Sequence, residues 1–69
     1  MLSLEAFNMI VLVEKYLIQR NWLEECRIAY ANAVCEGDPK NADRKYDAVK
    51  IARFELRKLE EEIEKAVSR

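Results

Sequence analysis

The side chains that could perform catalysis are few and far apart. The 69-residue chain has no histidine, and its two cysteines, Cys26 and Cys35, are nine residues apart. Its only hydroxyls of the serine or threonine type belong to Ser3 and Ser68, at the two ends. Without histidine the chain lacks the usual general base and the usual activator of a nucleophile. One glycine cannot build a phosphate-binding loop. We therefore expect no catalytic site and no bound cofactor.

An acidic run near the C-terminus is the one cluster of candidate metal ligands, and it comprises Glu60, Glu61, Glu62 and Glu64. Helical bundles that hold metal ions on carboxylates also use Glu-x-x-His, which this chain lacks. The two cysteines do not match the spacing of a zinc site. We interpret the run as a solvated flank of a helix and expect no metal site.

A basic segment precedes this acidic run. Between Lys40 and Lys58 there are seven basic and three acidic residues. Nucleic-acid binding favours a continuous positive surface and usually a basic domain. Here acidic residues interrupt the segment, and the net charge of the whole chain is −1. Binding of RNA or DNA by a dimeric hairpin is therefore the alternative interpretation rather than the first.

Two apolar side chains within the basic segment suggest a contact with another protein. Ile51 and Phe54 lie one helical turn apart, opposite the apolar stripe of their helix and among basic residues. An aromatic side chain beside cations is a common composition for the energetic centre of a protein interface. We predict a partner-binding patch formed by Lys50, Ile51, Phe54 and Lys58. Packing between subunits is the other use of these side chains that the pattern allows.

The element that positions all these residues is a four-residue turn. The segment 36–39 contains the only glycine and the only proline, Gly37 and Pro39, with Asp38 as a helix-capping residue between them. The pattern predicts one helix from about 3 to 36, with Ser3 as its cap, and another from about 39 to 67. Because the turn is short, the helices must be antiparallel, in a single domain over 1–69.

Counting back from the turn predicts the register, with Cys26 level with Val49 and Tyr16 level with Leu59. The second helix has a heptad stripe of Ala42, Val49, Ala52, Leu56, Leu59, Ile63 and Ala66, in which Lys45 takes one position. Tyr46, Ala48 and Val67 widen it. The second half of the first helix also predicts one apolar stripe, formed by Trp22, Leu23, Cys26, Ala29, Tyr30, Ala33 and Val34.

The first half of the first helix differs, because its apolar residues point almost all the way round the axis. A helix of this kind must be covered on more than one side, and one companion helix covers only one. We predict an oligomer interface formed by Phe7, Ile10, Val11, Val13, Leu17 and Ile18. The simplest architecture is an all-α hairpin that dimerises into a four-helix bundle. A different protein in the same groove, or N-terminal turns that bend back in a compact monomer, are the alternatives.

The length of the apolar run and the spacing of the cysteines indicate where the protein acts. The longest uninterrupted apolar run of this region, 9–13, is too short to span a membrane, and no basic segment precedes it as in a signal peptide. Nine residues of helix separate the two thiols by about 13 Å, which excludes a bond between them and favours a reducing compartment. A Cys35–Cys35 link between subunits stays open. We expect a cytoplasmic adaptor, inhibitor or regulator that binds itself and another protein.

Overall fold

The computed structural model describes residues 3–68, and over that range it consists of two long α-helices with no strand. Helix α1 spans Leu4–Cys35 and helix α2 spans Pro39–Val67. These bounds agree to within one residue with those expected from the sequence. The prediction of an all-α, two-helix hairpin is confirmed.

Each helix begins at the capping residue that the sequence indicates. The Ser3 hydroxyl oxygen accepts a hydrogen bond from the backbone N–H of Ala6 at 3.1 Å. The Asp38 Oδ1 atom accepts one from the N–H of Asn41 at 3.2 Å, and Pro39 occupies the first turn of α2. These caps satisfy donors that a helix start leaves without an intrahelical partner.

The turn ends α1 with two reverse hydrogen bonds. Gly37 has φ = 73°, in the left-handed region, and its N–H donates to the Val34 carbonyl at 3.1 Å. The N–H of Asp38 donates to the Ala33 carbonyl at 3.3 Å. This pair of bonds is a Schellman motif, which satisfies the last carbonyls of a helix and turns the chain away from its axis. Because α2 begins one residue later, it runs back along α1.

The two helices meet along a single seam in which buried and half-buried residues recur at alternating steps of three and four. On α1 the seam contains Met9, Leu12, Tyr16, Gln19, Leu23, Cys26, Tyr30 and Ala33. On α2 it contains Ala42, Val49, Ala52, Leu56, Leu59, Ile63 and Ala66, with the exposed Lys45 at the position between the first two. Cys26 packs with Val49 and Ala52 in the centre of the core, which agrees with the register counted from the turn.

The seam is narrower than the sequence suggests. Trp22 and Val34 are about half exposed, at 50% and 53%, so neither belongs to the stripe of α1 that packs on α2. Tyr46 and Val67 of α2 are exposed as well. The physical reason is that a two-helix contact covers only the residues at alternating steps of three and four, and neighbouring positions lie at its rim.

The hairpin buries very little of itself. Among the described residues only Cys26, Ala33, Val49 and Ala52 are buried. The principal extents are 53 × 20 × 11 Å and the radius of gyration is 15.9 Å, against about 11 Å for a compact chain of this length. Helix α1 is unbroken from Leu4, so its N-terminal turns do not bend back over the core. A monomer made compact in that way is excluded.

Replacing Gly37 tests the turn. A Cβ atom at Gly37 would meet nothing within 4 Å, so Gly37→Ala should cost only the backbone strain of the left-handed conformation, about 1 kcal/mol. Urea denaturation at a fixed protein concentration measures this loss. Gly37→Asn is the matched control and should lose less, because asparagine adopts this conformation more readily. An alanine variant as stable as the wild type would contradict the assignment.

Candidate functional site

The largest exposed apolar surface lies on the N-terminal half of α1. Of the six residues predicted as an oligomer interface, Phe7, Ile10, Val13, Leu17 and Ile18 are exposed and Val11 is half-buried. Leu17 exposes 53% and Ile18 exposes 70% of its surface. We call the apolar surface of residues 4–22 that lies outside the seam the outer face of α1. Soluble monomers rarely leave so many large apolar side chains together in water.

The outer face has two flanks, as the rotation of about 100° per residue requires. Ile10, Val13 and Leu17 lie on one side of the seam. Leu4, Val11, Ile18 and Trp22 lie on the other. Phe7 lies at the back of the helix, between the two flanks. The predicted interface therefore wraps round α1 instead of forming one plane.

A shallow groove marks the first flank. Val13, Tyr16 and Leu17 of α1 line it on one side, and Glu60, Ile63 and Glu64 of α2 line it on the other. The surface that lines the groove is mostly apolar, and the carboxylates of Glu60 and Glu64 lie on its α2 side. The groove lies beside the seam, between the N-terminal half of α1 and the C-terminal part of α2.

The outer face carries few charges, and they balance, with Glu5 and Glu14 against Lys15 and Arg20. Between Ala6 and Gln19 the only charged residues are Glu14 and Lys15, which are adjacent, opposite in sign and both exposed. Their exposure keeps them away from the seam. An apolar surface with few, balanced charges is suited to contact with another apolar surface and has no net charge of its own.

The predicted partner patch divides into two groups in the structure. The Lys58 Nζ atom lies 5.1 Å from the centroid of the Phe54 ring, within the range of a cation–π contact, and Ile51 is exposed one turn before. The Lys50 Nζ atom instead lies 3.3 Å from the Asp47 Oδ1 atom. Ile51, Phe54 and Lys58 thus form one surface, which we call the α2 patch.

Lys50 belongs to an aromatic group nearer the turn. Its Nζ atom also lies 5.1 Å from the centroid of the Tyr46 ring. The Tyr46 ring in turn packs on Tyr30 with ring centroids 5.4 Å apart. Successive residues of a helix point about 100° apart, so Lys50 and Ile51 lie on different flanks of α2.

The acidic residues Glu60, Glu61, Glu62 and Glu64 are all exposed on α2. Within residues 3–68 the structure places no group of three or more cysteine, aspartate or glutamate side chains where they could hold a metal ion. Neither of the two described helices is long and apolar enough to cross a membrane.

Comparison with known proteins adds no information on function. No protein-family model matches the chain, and neither the curated proteins nor the solved structures contain a significant match. The outer face of α1 and the α2 patch are therefore the two surfaces that bear on function.

The two thiols have very different surroundings, which gives a chemical test of the fold. Cys26 is 7% exposed in the seam, whereas Cys35 is exposed in the last turn of α1, and both are free. A thiol-reactive aromatic disulfide should therefore modify one thiol per chain quickly and the second only when the hairpin opens. Cys35→Ser should abolish the fast phase. Two equal rates in the folded wild-type protein would contradict the placement of Cys26.

Proposed function

We propose that this chain is a small, non-enzymatic interaction protein that acts as a homo-oligomer. Two hairpins associate through the outer face of α1 into a four-helix assembly, and the assembly binds another protein as an adaptor, inhibitor or regulator. The observation that carries this proposal is the row of exposed, large apolar side chains on residues 4–22 of α1.

The accessible surface supports association. The hairpin exposes 5818 Å², whereas a compact monomer of 8.1 kDa would expose roughly 4,500 Å². The excess is about 1,300 Å², and a stable protein dimer commonly covers about 800 Å² on each partner. The hairpin thus has more surplus surface than an ordinary dimer interface needs.

A second copy suits the outer face better than an arbitrary partner. A two-fold interface requires that one surface be complementary to itself. An apolar surface whose few charges balance, with Glu14 and Lys15 adjacent near its centre, meets this condition without net repulsion. A partner selected by charge would find little on this surface to recognise.

The α2 patch is the proposed site for the other protein. Ile51 exposes 63% and Phe54 exposes 62% of its surface, on the side of α2 that points away from α1. Lys58 lies over the Phe54 ring. An exposed aromatic side chain with a nearby cation is able to pack and to hydrogen-bond at once, as the centre of many interfaces does.

The basic segment between residues 40 and 58 gives weaker support to nucleic-acid binding. One of its cations, Lys50, forms an ion pair with Asp47. Asp43 and Glu55 interrupt the positive charge further.

The two free thiols favour a reducing, cytoplasmic location for the protein.

Charges introduced on the outer face should prevent association. In the double variant Val11→Glu, Ile18→Glu each carboxylate would have to be buried in the dimer, which is unfavourable unless it is paired. Sedimentation velocity at micromolar concentration should show loss of the dimer, with lower thermal stability. Ile28→Glu is the matched control, because Ile28 is 54% exposed outside residues 4–22 and should keep the dimer. A double variant that stays dimeric would rule out this interface.

Removing the Phe54 ring should affect binding without affecting the fold. Phe54→Ala removes an exposed side chain, so its free energy of unfolding should stay within about 0.5 kcal/mol of the wild type. The immobilised variant should capture less of the wild type's partner from cell lysate. Ile28→Ala, equally exposed on α1, should capture the partner normally. Equal capture by Phe54→Ala would exclude Phe54 from the binding site.

A further inference from the structure

We propose that two copies pair α1 against α1 in antiparallel orientation, about a two-fold axis that passes between Glu14 and Lys15. Glu14 of each chain then faces Lys15 of the other. This inference rests on the self-association proposed above and specifies which flank of the outer face is covered, in which direction and in which register.

Val11, Ile18 and Trp22 of one flank, together with Phe7 at the back of the helix, form a pattern that is symmetric about this axis. Midway between residues 14 and 15, Val11 and Ile18 each lie 3.5 residues away, one on each side. Phe7 and Trp22 each lie 7.5 residues away. Large apolar side chains are thus placed at equal distances along the helix, with charges of opposite sign at the centre.

An antiparallel two-fold contact needs this symmetry. Residue i of one helix then meets residue 29 − i of the other, so Val11 meets Ile18, Phe7 meets Trp22 and Glu14 meets Lys15. The steps of three and four between these residues are those of a second heptad stripe on α1, separate from the seam with α2. Each contact occurs twice, as a two-fold axis demands.

Other arrangements match the side chains less well. A parallel pair would place Glu14 against Glu14 and Lys15 against Lys15, which is repulsive. The flank of Ile10, Val13 and Leu17 is also nearly symmetric, but an axis that pairs Ile10 with Leu17 places the Glu14 carboxylate against Val13. Only the flank of Val11, Ile18 and Trp22 combines apolar pairs with paired opposite charges.

The exposure of this flank agrees with its coverage by a second copy. Ile18 is among the most exposed large apolar residues of the hairpin, and Trp22, the only tryptophan, is half exposed. The contact places the two α1 helices in the middle of the assembly and the two α2 helices outside. The α2 patch of Ile51, Phe54 and Lys58 then faces outward, where another protein can reach it.

Charge reversal at the centre of the contact tests the direction and the register together. Glu14→Lys and Lys15→Glu each convert two attractive contacts into two repulsive ones, so each should raise the dimer dissociation constant by roughly tenfold at low salt. The double variant Glu14→Lys, Lys15→Glu restores both attractive contacts and should dimerise like the wild type. Sedimentation equilibrium in low salt measures all four proteins.

Matched controls change the same charges elsewhere. Glu61→Lys and Lys40→Glu lie on α2, alter the net charge equally and should leave the dissociation constant unchanged. Glu14 and Lys15 are exposed, and lysine and glutamate have similar helix propensities, so circular dichroism should report the wild-type helix content in every variant.

The emission of Trp22 gives a second, independent measurement on the wild-type chain. Because Phe7 and Trp22 of one chain lie about 22 Å apart along α1, Trp22 can contact a Phe7 ring only across the dimer. Emission should shift to shorter wavelength as dimer forms, and Phe7→Ala should reduce that shift.

The outcomes separate this inference from the proposal on which it rests. A wild-type chain that stays monomeric at all accessible concentrations would overturn both. The antiparallel contact alone would be overturned if the single reversals leave the dimer dissociation constant unchanged or if the double variant does not restore it. It would also be overturned if Trp22 emission does not change when the dimer forms. Weakening by both single reversals, with recovery in the double variant, establishes it.

Discussion

Each helix of a two-helix hairpin can bury only one side against the other, and this limit governs the rest of the structure. The Schellman turn at Gly37 brings α2 back along α1 and creates one seam over the full length of both helices. For α2 one seam suffices, because its other sides are mostly charged. For the first half of α1 it does not, because apolar residues continue round the helix. The proposal that a second copy covers α1 rests on this difference between the helices.

Much of the fold could be predicted because the relevant signals are local. A single glycine and a single proline mark the turn, and Ser3 and Asp38 mark the helix starts. The register follows from the shortness of the turn. The seam of α1 was harder to recognise, because apolar residues on all sides hide the spacing of Met9, Leu12 and Tyr16, and because polar Gln19 continues it. Large apolar side chains at the rim, such as Trp22, therefore resemble core residues.

The candidate surfaces could be predicted in composition but not in detail. Spacing alone places Lys50 and Lys58 near Phe54, yet only Lys58 lies over its ring. Lys50 has Asp47 and Tyr46 within reach one turn away and contacts both. A long, flexible side chain has several possible partners, and sequence spacing does not choose among them. The division of the outer face into two flanks likewise became clear only when the seam fixed the orientation of α1.

The two surfaces suit different partners. The outer face of α1 is apolar with few, balanced charges, which suits coverage by a copy of the same chain. The α2 patch combines an exposed aromatic ring with cations and points away from α1. We propose that a second copy covers α1, and sedimentation equilibrium of the wild-type chain is the most direct test of this association. We expect a reversible dimer at micromolar concentration, and a well-folded, stable monomer at those concentrations would rule out the proposed association.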